Sequence, residues 1–373
     1  MIGLARPELG VEEEELVLEV LRSGRLSLGP MLERFEDALA ARLGVEDAVA
    51  VSSGTAALHL AVRLQGWGGG DEVVTTPLSF VASANCLLYE GATPVFCDVD
   101  PRTLNIDPAA AAELIGDRTA GLLPVHIFGY PADLVGLAEL ADRHGLTLVE
   151  DGCQALGAVD ARGRAVGASG NPCAFGFYAN KQITTGEGGA LVPASSEAAA
   201  TLRSERNQGR APDMDEMAHE RLGFNYRMSE LSAALGIVQL DRLDGFLAAR
   251  GRVADAYSER LGEIEGLDVP ASDRAPAKRS WFVYVVQLPE EAERESVISA
   301  LAAEGIQAKA YLPCIHLYPH YRERFGFKGG EFPIAEGFSR RALALPFHTG
   351  LTDSDVDRVV AALARSLGRP HES

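Results

Sequence analysis

The chain has 373 residues, of which 47% are hydrophobic, and a net charge of −19. This length predicts two or three domains, and the hydrophobic content is typical of a globular protein and not of a disordered chain. The negative charge argues against nucleic acid as a partner, because phosphate backbones are bound by basic surfaces. We find no apolar run of membrane-spanning length and no signal-peptide pattern, so we expect a cytoplasmic protein without a membrane partner.

The cysteines are odd in number and contain no C-x-x-C pair, which predicts reduced thiols and neither a disulfide framework nor a zinc site. They are Cys86, Cys97, Cys153, Cys173 and Cys314.

Hydrophobic periodicity predicts helices over residues 11–23 and 31–43. Short apolar strands then alternate with helices up to about residue 150, which is typical of an α/β protein whose mostly parallel sheet is covered by helices on both faces. Ligands of such sheets bind at the carboxyl ends of the strands. After about residue 230 we expect a long helical stretch, either continuous or broken once, and a smaller α+β domain. We therefore predict a large domain over 1–244 and a small C-terminal domain over 245–373.

The stretch "VSSGTAALHLA" places Ser52, Ser53, Gly54 and Thr55 between a strand and a helix. Free backbone N–H groups and hydroxyls at a helix N-terminus form a ready phosphate cradle. Serine and threonine are also ordinary helix caps, and the sequence alone does not separate the two interpretations.

Another strand ends in "LVEDGCQALGA", with Glu150 and Asp151 at its carboxyl end. A buried carboxylate there requires a cationic partner or hydrogen bonds, so it is either a helix cap or a counter-charge for a ligand. Phe80, in "PLSFVASAN", also follows a strand, and it is either a core residue or a flat surface for a ligand.

Lysine is rare in this chain: Lys181, Lys278, Lys309 and Lys328 are the only four. Lys181 lies in the loop "FGFYANKQITTGEGGALV". An amine condenses with an aldehyde to form a Schiff base, whereas a guanidinium practically cannot. A lysine in a loop is ordinarily a surface residue, but this chain otherwise uses arginine at its surface.

Amine, carboxylate, aromatic ring and phosphate loop together fit one cofactor, pyridoxal 5′-phosphate. Its aldehyde needs the amine, its pyridinium nitrogen needs the carboxylate, and its ring usually stacks on a flat side chain. Each signal alone is weak, whereas their conjunction and order along the chain are specific.

The chain resembles the DegT/DnrJ/EryC1/StrS aminotransferases, the sugar aminotransferases of pyridoxal-phosphate fold type I. The resemblance covers nearly the whole chain. It rests on motifs such as "RSGRLSLGPMLERFEDALA", "AVSSGTAALHLA", "VEDGCQALGA", "NKQITTGEGGALV", "LGFNYRMSELSAALGIVQL" and "HLYPHYRERFG". It implies a large domain with a mostly parallel seven-stranded sheet and a smaller C-terminal α+β domain.

The resemblance also implies roles at the cofactor. Lys181 is expected to be the Schiff-base lysine and proton shuttle, Asp151 to pair with the pyridine nitrogen, and Gln154 to lie near the ring hydroxyl. Phe80 is expected to stack on the ring. The residues expected at the phosphate are Ser53, Gly54 and Thr55.

Further roles concern the partner subunit and the substrate. Asn225 matches an asparagine that reaches the phosphate of the neighbouring subunit, which implies a homodimer with shared sites. His316 matches a histidine near the sugar-nucleotide pocket, and Arg227 is carried over as a substrate or structural group. An acceptor diphosphate needs local positive charge, for which the candidates, otherwise solvated surface residues, are Arg206, Arg210, Arg221 and Arg227.

One departure from the family is Gly176, where many members have a serine that touches the phosphate.

The implied reaction moves an amino group from L-glutamate to a nucleotide-linked keto-sugar, with a 4-keto-6-deoxyhexose as the common acceptor. A keto-cyclitol acceptor stays open. Lys181 argues against the related dehydratases, which carry histidine there, and the intact site argues against a non-catalytic regulatory protein on the same fold.

Overall fold

The computed structural model describes residues 1–211 and 218–369. Two helices, α1 (Val11–Ser23) and α2 (Pro30–Leu43), come first, as the periodicity predicts. Strands and helices then alternate. They are β1 (Val49–Val51), α3 (Gly54–Gln65), β2 (Glu72–Thr75), α4 (Ala82–Tyr89), β3 (Thr93–Phe96), α5 (Pro108–Ala112), β4 (Thr119–Leu123), α6 (Leu134–His144), β5 (Thr147–Leu148), β6 (Glu150–Asp151), β7 (Cys173–Gly176), β8 (Gly189–Val192) and α7 (Ser196–Arg206).

These strands form two four-stranded ladders, β3-β2-β4-β5 and β1-β8-β7-β6. The ladders continue into each other because only Val149 separates β5 from β6, and its N–H donates to the Leu122 carbonyl at 3.0 Å. Asp151 adds a parallel bridge to Val125. The result is seven strand positions in which β8 runs antiparallel to both neighbours and the other pairings are parallel. The predicted α/β class and mostly parallel sheet are confirmed.

The second half of the described chain builds another layer. Its elements are α8 (Glu230–Asp241), α9 (Leu243–Leu261), β9 (Tyr284–Gln287), α10 (Arg294–Ala303), β10 (Lys309–Ala310), α11 (Pro319–Phe325), α12 (Pro333–Arg341), β11 (Ala342–Leu345) and α13 (Asp353–Ser366). The predicted helical break occurs at Arg242, between α8 and α9. The strands form an antiparallel sheet in the order β10-β11-β9.

Helix α9 crosses the predicted domain boundary without interruption. Leu243 and Phe246, near its start, pack in the cluster beneath the large sheet, whereas Val253 and Tyr257 pack in the cluster beneath the small sheet. Ile2 also belongs to the second cluster. The division at residue 244 therefore stays a prediction, and α9 fixes the two cores to each other. Across the described ranges, none of the helices is both long enough and apolar enough to cross a bilayer.

Candidate active site

The lysine loop is a hairpin between β7 and β8, closed by the Phe177 N–H donating to the Gly188 carbonyl at 2.9 Å. Thr185 N–H donates to the Phe177 carbonyl at 2.9 Å, and the Thr184 hydroxyl accepts from Gly186 N–H at 2.9 Å. The side-chain amide of Gln182 donates to the carbonyl of Gln154 at 2.6 Å. Gln182, Thr184 and Thr185, which follow Lys181, therefore fix the loop both internally and against the Gln154 segment.

The amine of Lys181 lies over the ring of Phe282, with Nζ 4.1 Å from the ring centroid. Burial lowers the pKa of this amine below its ordinary value, and the nearby charge of Asp151 acts in the opposite direction. A lowered pKa raises the fraction of free amine, which is the form that attacks an aldehyde.

Asp151 ends β6 and is 4% exposed. Its Oδ2 accepts from the Ser83 hydroxyl at 2.6 Å and its Oδ1 from Cys153 N–H at 3.0 Å. Ser83 lies near the start of α4, four residues after Ser79, and their hydroxyls are 2.7 Å apart. Sequence reasoning missed Ser83, because its partner Asp151 lies 68 residues away and no local pattern connects them.

Glu150, the neighbour of Asp151, has a different environment. It is fully buried, and its Oε2 is 3.0 Å from Nε2 of His126. The hydroxyl of Ser169 and the side-chain amide of Asn171 also donate to it. Successive residues of a strand point to opposite faces. Glu150 therefore stabilises the interior, and Asp151 faces the end of the sheet where Lys181 lies.

The phosphate-loop candidates lie at the junction of β1 and α3. Ser53 caps α3, and its hydroxyl accepts from Ala56 N–H at 3.1 Å. At Gly54 an added Cβ would lie 2.9 Å from Sγ of Cys153 and 3.2 Å from Cα of Gly176. Only glycine allows this close approach of the helix N-terminus to β6 and β7.

Three other predicted residues lie around this junction. Phe80 is 59% exposed just before α4. Asn225 is exposed, and Arg227 bridges to Val51 at the end of β1 and donates to Oδ1 of Asn207 at 3.1 Å. The structure thus brings Arg227 close to the phosphate loop of its own protomer.

His316 lies in a 3₁₀ turn (Ile315–Leu317) and is 0% exposed. Its Nε2 is 3.1 Å from Oε1 of Glu336, and its ring is surrounded by Phe96, Phe327 and Phe332. The structure therefore gives His316 a packing role inside the protomer, and its predicted contact with a substrate stays a prediction.

The predicted arginine cluster does not converge on one surface. Arg206 is buried and donates to Glu36 and, at 2.6 Å, to the Ala50 carbonyl. Arg221 is exposed, and Nε of Arg210 is buried without a hydrogen-bond partner in the described ranges. Arg206 is thus a structural residue, and Arg221 and Arg227 stay as candidates for binding an anion.

Comparison with known proteins identifies the family. Residues 7–364 match the DegT/DnrJ/EryC1/StrS aminotransferase family. The GDP-perosamine synthase of Caulobacter vibrioides is 39% identical over 98% of this chain and 98% of that protein. The spore coat polysaccharide biosynthesis protein SpsC of Bacillus subtilis is 37% identical over 96% of this chain and 95% of that protein.

A solved structure agrees. S. venezuelae DesV, determined in complex with a ketimine intermediate, superposes with a TM-score of 0.91 at 36% identity, over 99% of this chain and 100% of that chain. The chain therefore belongs to the DegT/DnrJ/EryC1/StrS family and is a pyridoxal-phosphate-dependent aminotransferase of fold type I.

Proposed function

We propose that this enzyme moves an amino group from L-glutamate to the keto group of a nucleotide-linked keto-deoxysugar, with a 4-keto-6-deoxyhexose as the first acceptor to test. The observation that supports the chemistry is that Lys181 and Asp151 lie at one edge of the sheet, close enough for the charge of Asp151 to act on the amine. The nucleotide-linked acceptor is supported by the similarity to a GDP-perosamine synthase along the full chain.

The residues present fit pyridoxal phosphate. Gly54 lets the N-terminus of α3, where backbone N–H groups can bind a phosphate, pack directly against Cys153 and Gly176, and Phe80 presents an exposed ring just before α4. Oxygens Oδ1 and Oδ2 of Asp151 each accept one protein hydrogen bond, and a carboxylate has about four acceptor sites, so one can accept from a ring nitrogen. Ser53 and Thr55 would contribute to the phosphate site, and Gln154 to the ring hydroxyl.

When bound, pyridoxal phosphate supplies an aldehyde for the lysine and a ring that accepts electrons from the substrate carbon. Lys181 would hold the cofactor, and its free amine would carry a proton to and from the substrate carbon. Its low pKa suits this role, because a general base works best when its pKa is near the operating pH. The Phe282 ring covers the amine on one side and excludes water there.

Asp151 would pair with the ring nitrogen and favour its protonated form. Ser83 and Cys153 N–H fix the carboxylate in one orientation, so little rearrangement is needed during the reaction. Gln154 is fixed in the same way, because its Oε1 accepts from Phe128 N–H at 2.9 Å.

We further propose a homodimer in the cytoplasm. Asn225 is exposed on the segment that adjoins β1, where it can reach the phosphate site of a second copy. Arg221 and Arg227 would supply positive charge for the acceptor diphosphate, which a protein of net charge −19 must concentrate locally.

The test is an absorbance titration of the purified protein with pyridoxal phosphate, before and after L-glutamate, alongside Lys181→Ala. We expect a visible band that L-glutamate bleaches and that a nucleotide-linked keto-deoxysugar restores, and we expect Lys181→Ala not to form it. Restoration by a keto-cyclitol alone would replace the proposed acceptor. Folded protein that binds no cofactor would overturn the enzyme assignment and favour the regulatory protein.

A further inference from the structure

Arg250 lies on α9, outside every motif that predicted the site, and it contacts the lysine loop directly. Its Nη2 donates to the main-chain carbonyl of Lys181 at 3.1 Å. Its Nη1 donates to the main-chain carbonyl of Phe282 at 3.1 Å. Phe282 is the residue whose ring covers the Lys181 amine. One guanidinium therefore fixes both the lysine and the ring against which its amine lies.

The environment of Arg250 is unusual for a charged group. The residue is 5% exposed, and its Nε is buried without a hydrogen-bond partner in the described ranges. None of the ion pairs within those ranges includes Arg250. The guanidinium also lies over the ring of Phe347, with its carbon 5.6 Å from the ring centroid, and its charge acts on His348. Burial of a charge without a counter-charge is costly, and burial lowers the pKa of Arg250 to about 10.

A ligand at the guanidinium itself does not explain this arrangement. The cavity that Lys181 and Arg250 both line measures about 10 Å³. A cavity of this size is at the lower limit for a single water molecule. The buried charge is therefore directed at the two carbonyls.

The choice of arginine has a physical reason. Its planar fork presents donors in fixed directions, so one side chain can bind carbonyls from two separate segments. The Lys181 loop belongs to the large sheet, and Phe282 lies two residues before β9 of the small sheet. Arg250 joins these segments from the helix that crosses between the two cores.

We propose that Arg250 is a positioning residue for Lys181, holding the lysine backbone and the Phe282 ring in the geometry that keeps the amine against the ring. This inference rests on the proposed function, in which Lys181 is the reacting amine. Placement matters at this precision, since a misplacement of about 1 Å in a catalytic group can lower the rate about 100-fold.

The first test uses the apoprotein and is independent of the cofactor. Lysines are labelled competitively with acetic anhydride over a range of pH, and the labelling is quantified by peptide mass spectrometry. The other three lysines are exposed and serve as references. The groups whose charge acts on the Lys181 amine are Cys153 and Asp151, and the variants leave both unchanged.

In the wild type we expect the labelling midpoint of Lys181 to lie at a lower pH than the midpoints of the three reference lysines. In Arg250→Met the released amine moves toward solvent, so its midpoint should rise by about one pH unit. Arg252→Met is the matched control, because Arg252 is exposed on the same helix, and it should leave the midpoint unchanged.

The second test uses the holoenzyme. We expect Arg250→Met to slow the bleaching of the cofactor band by saturating L-glutamate about 10- to 100-fold, with a smaller effect on cofactor affinity. Arg250→Lys, which keeps a charge but not the fork, should recover only part of the rate. A folded Arg250→Met protein with the wild-type midpoint and wild-type rate would overturn the proposal.

If Arg250→Met does not fold, Phe282→Leu decides the matter. This variant keeps both carbonyls and removes the ring, so the Lys181 midpoint should again rise, and an unchanged midpoint would refute the proposal. If the wild-type holoenzyme reacts with no donor, the proposed function is contradicted. The labelling experiment does not depend on that reaction, so it would still report on the role of Arg250.

Discussion

Lys181 and Arg206 are both basic side chains held near the carboxyl edge of the large sheet, but their charges are compensated in different ways. Arg206 is paired with the buried carboxylate of Glu36, and Glu36 also accepts from Ala50 N–H at 2.8 Å. Lys181 has an aromatic ring against its amine and no salt bridge in the described ranges. The charge of Arg206 is balanced by Glu36, whereas the Lys181 amine has no such partner in the described ranges and can lose its proton.

This contrast teaches how to separate the two kinds of buried charge. A matched pair is expected to contribute to stability and little to chemistry, because breaking it leaves a lone charge in the interior. An unmatched amine is expected to contribute to chemistry and little to stability. The predictions below test this separation, beginning with the largest expected effect.

Replacing Lys181 with alanine should lower the rate of amino transfer by at least about 10⁴-fold, because both the attachment point and the proton carrier are lost. The midpoint of thermal unfolding of the apoprotein should stay the same or rise, since a desolvated amine is removed. Steady-state kinetics and calorimetry measure the two effects. A large loss of stability together with the loss of rate would contradict the separation.

Replacing Glu36 with glutamine should lower the free energy of unfolding by about 3–5 kcal/mol, because Arg206 is left buried without its counter-charge. Denaturant unfolding measures this effect. Glu33→Gln is the control, since Glu33 is exposed on the same helix. The folded fraction of Glu36→Gln should keep near-normal turnover. Loss of turnover without loss of stability would show that the Glu36–Arg206 pair takes part in catalysis.

His316 is an intermediate case, buried with one acidic partner. Burial lowers its pKa below the ordinary value, while Glu336, Glu331 and Asp98 oppose the shift. The folded protein thus binds this proton less readily than the unfolded chain, so stability should decrease as the pH falls from about 6.5 through the lowered pKa.

The His316 contribution is measured by unfolding at pH 7 and pH 5. His316→Gln should reduce the acid-dependent loss of stability relative to the wild type. His320→Gln, at an exposed position of α11, should leave it unchanged. Identical pH profiles for the wild type and His316→Gln would show that the histidine is fully compensated, like Arg206.

Gly176 lies on the reactive side, at the position where many family members have serine. An added Cβ there has its nearest neighbours, the Cβ and Sγ of Cys153, at 3.5 Å, which is ordinary contact. Gly176→Ser should therefore strengthen binding of pyridoxal phosphate by about 3- to 10-fold through one extra hydrogen bond. Gly176→Ala adds the carbon without the hydroxyl, and equal affinity in both variants would rule out the phosphate contact.

Much of the fold could be predicted from the sequence, because the evidence for it is local. Apolar strands of the large sheet are buried on both faces, and short helices follow them with glycine or serine at the junctions. Helix α13 begins with a capping box between Thr352 and Asp355, three residues apart. Such signals lie within a few residues of the feature they describe.

The site was less predictable wherever a contact joins distant parts of the chain. Ser83 binds Asp151 across the sheet, and Arg250 binds carbonyls of two loops. Arg206 was a candidate ligand group because its partner, Glu36, lies on α2 and no local pattern connects them. Lys181 was found because an amine in a lysine-poor chain is a chemical signal and does not depend on knowing its neighbours.

The pairing of Ile2 with Ile306 has a consequence for synthesis. Ile2 N–H donates to the Gly305 carbonyl at 2.8 Å, and the Ile2 carbonyl accepts from Gln307 N–H at 3.0 Å. At a ribosomal rate of about 5–20 residues per second, Ile2 waits about 15–60 s for its partner segment to be made. During that interval the small core is incomplete, so it forms only after the residues of α13 have been made, whereas the strands of the large sheet end at Val192 and can pair earlier.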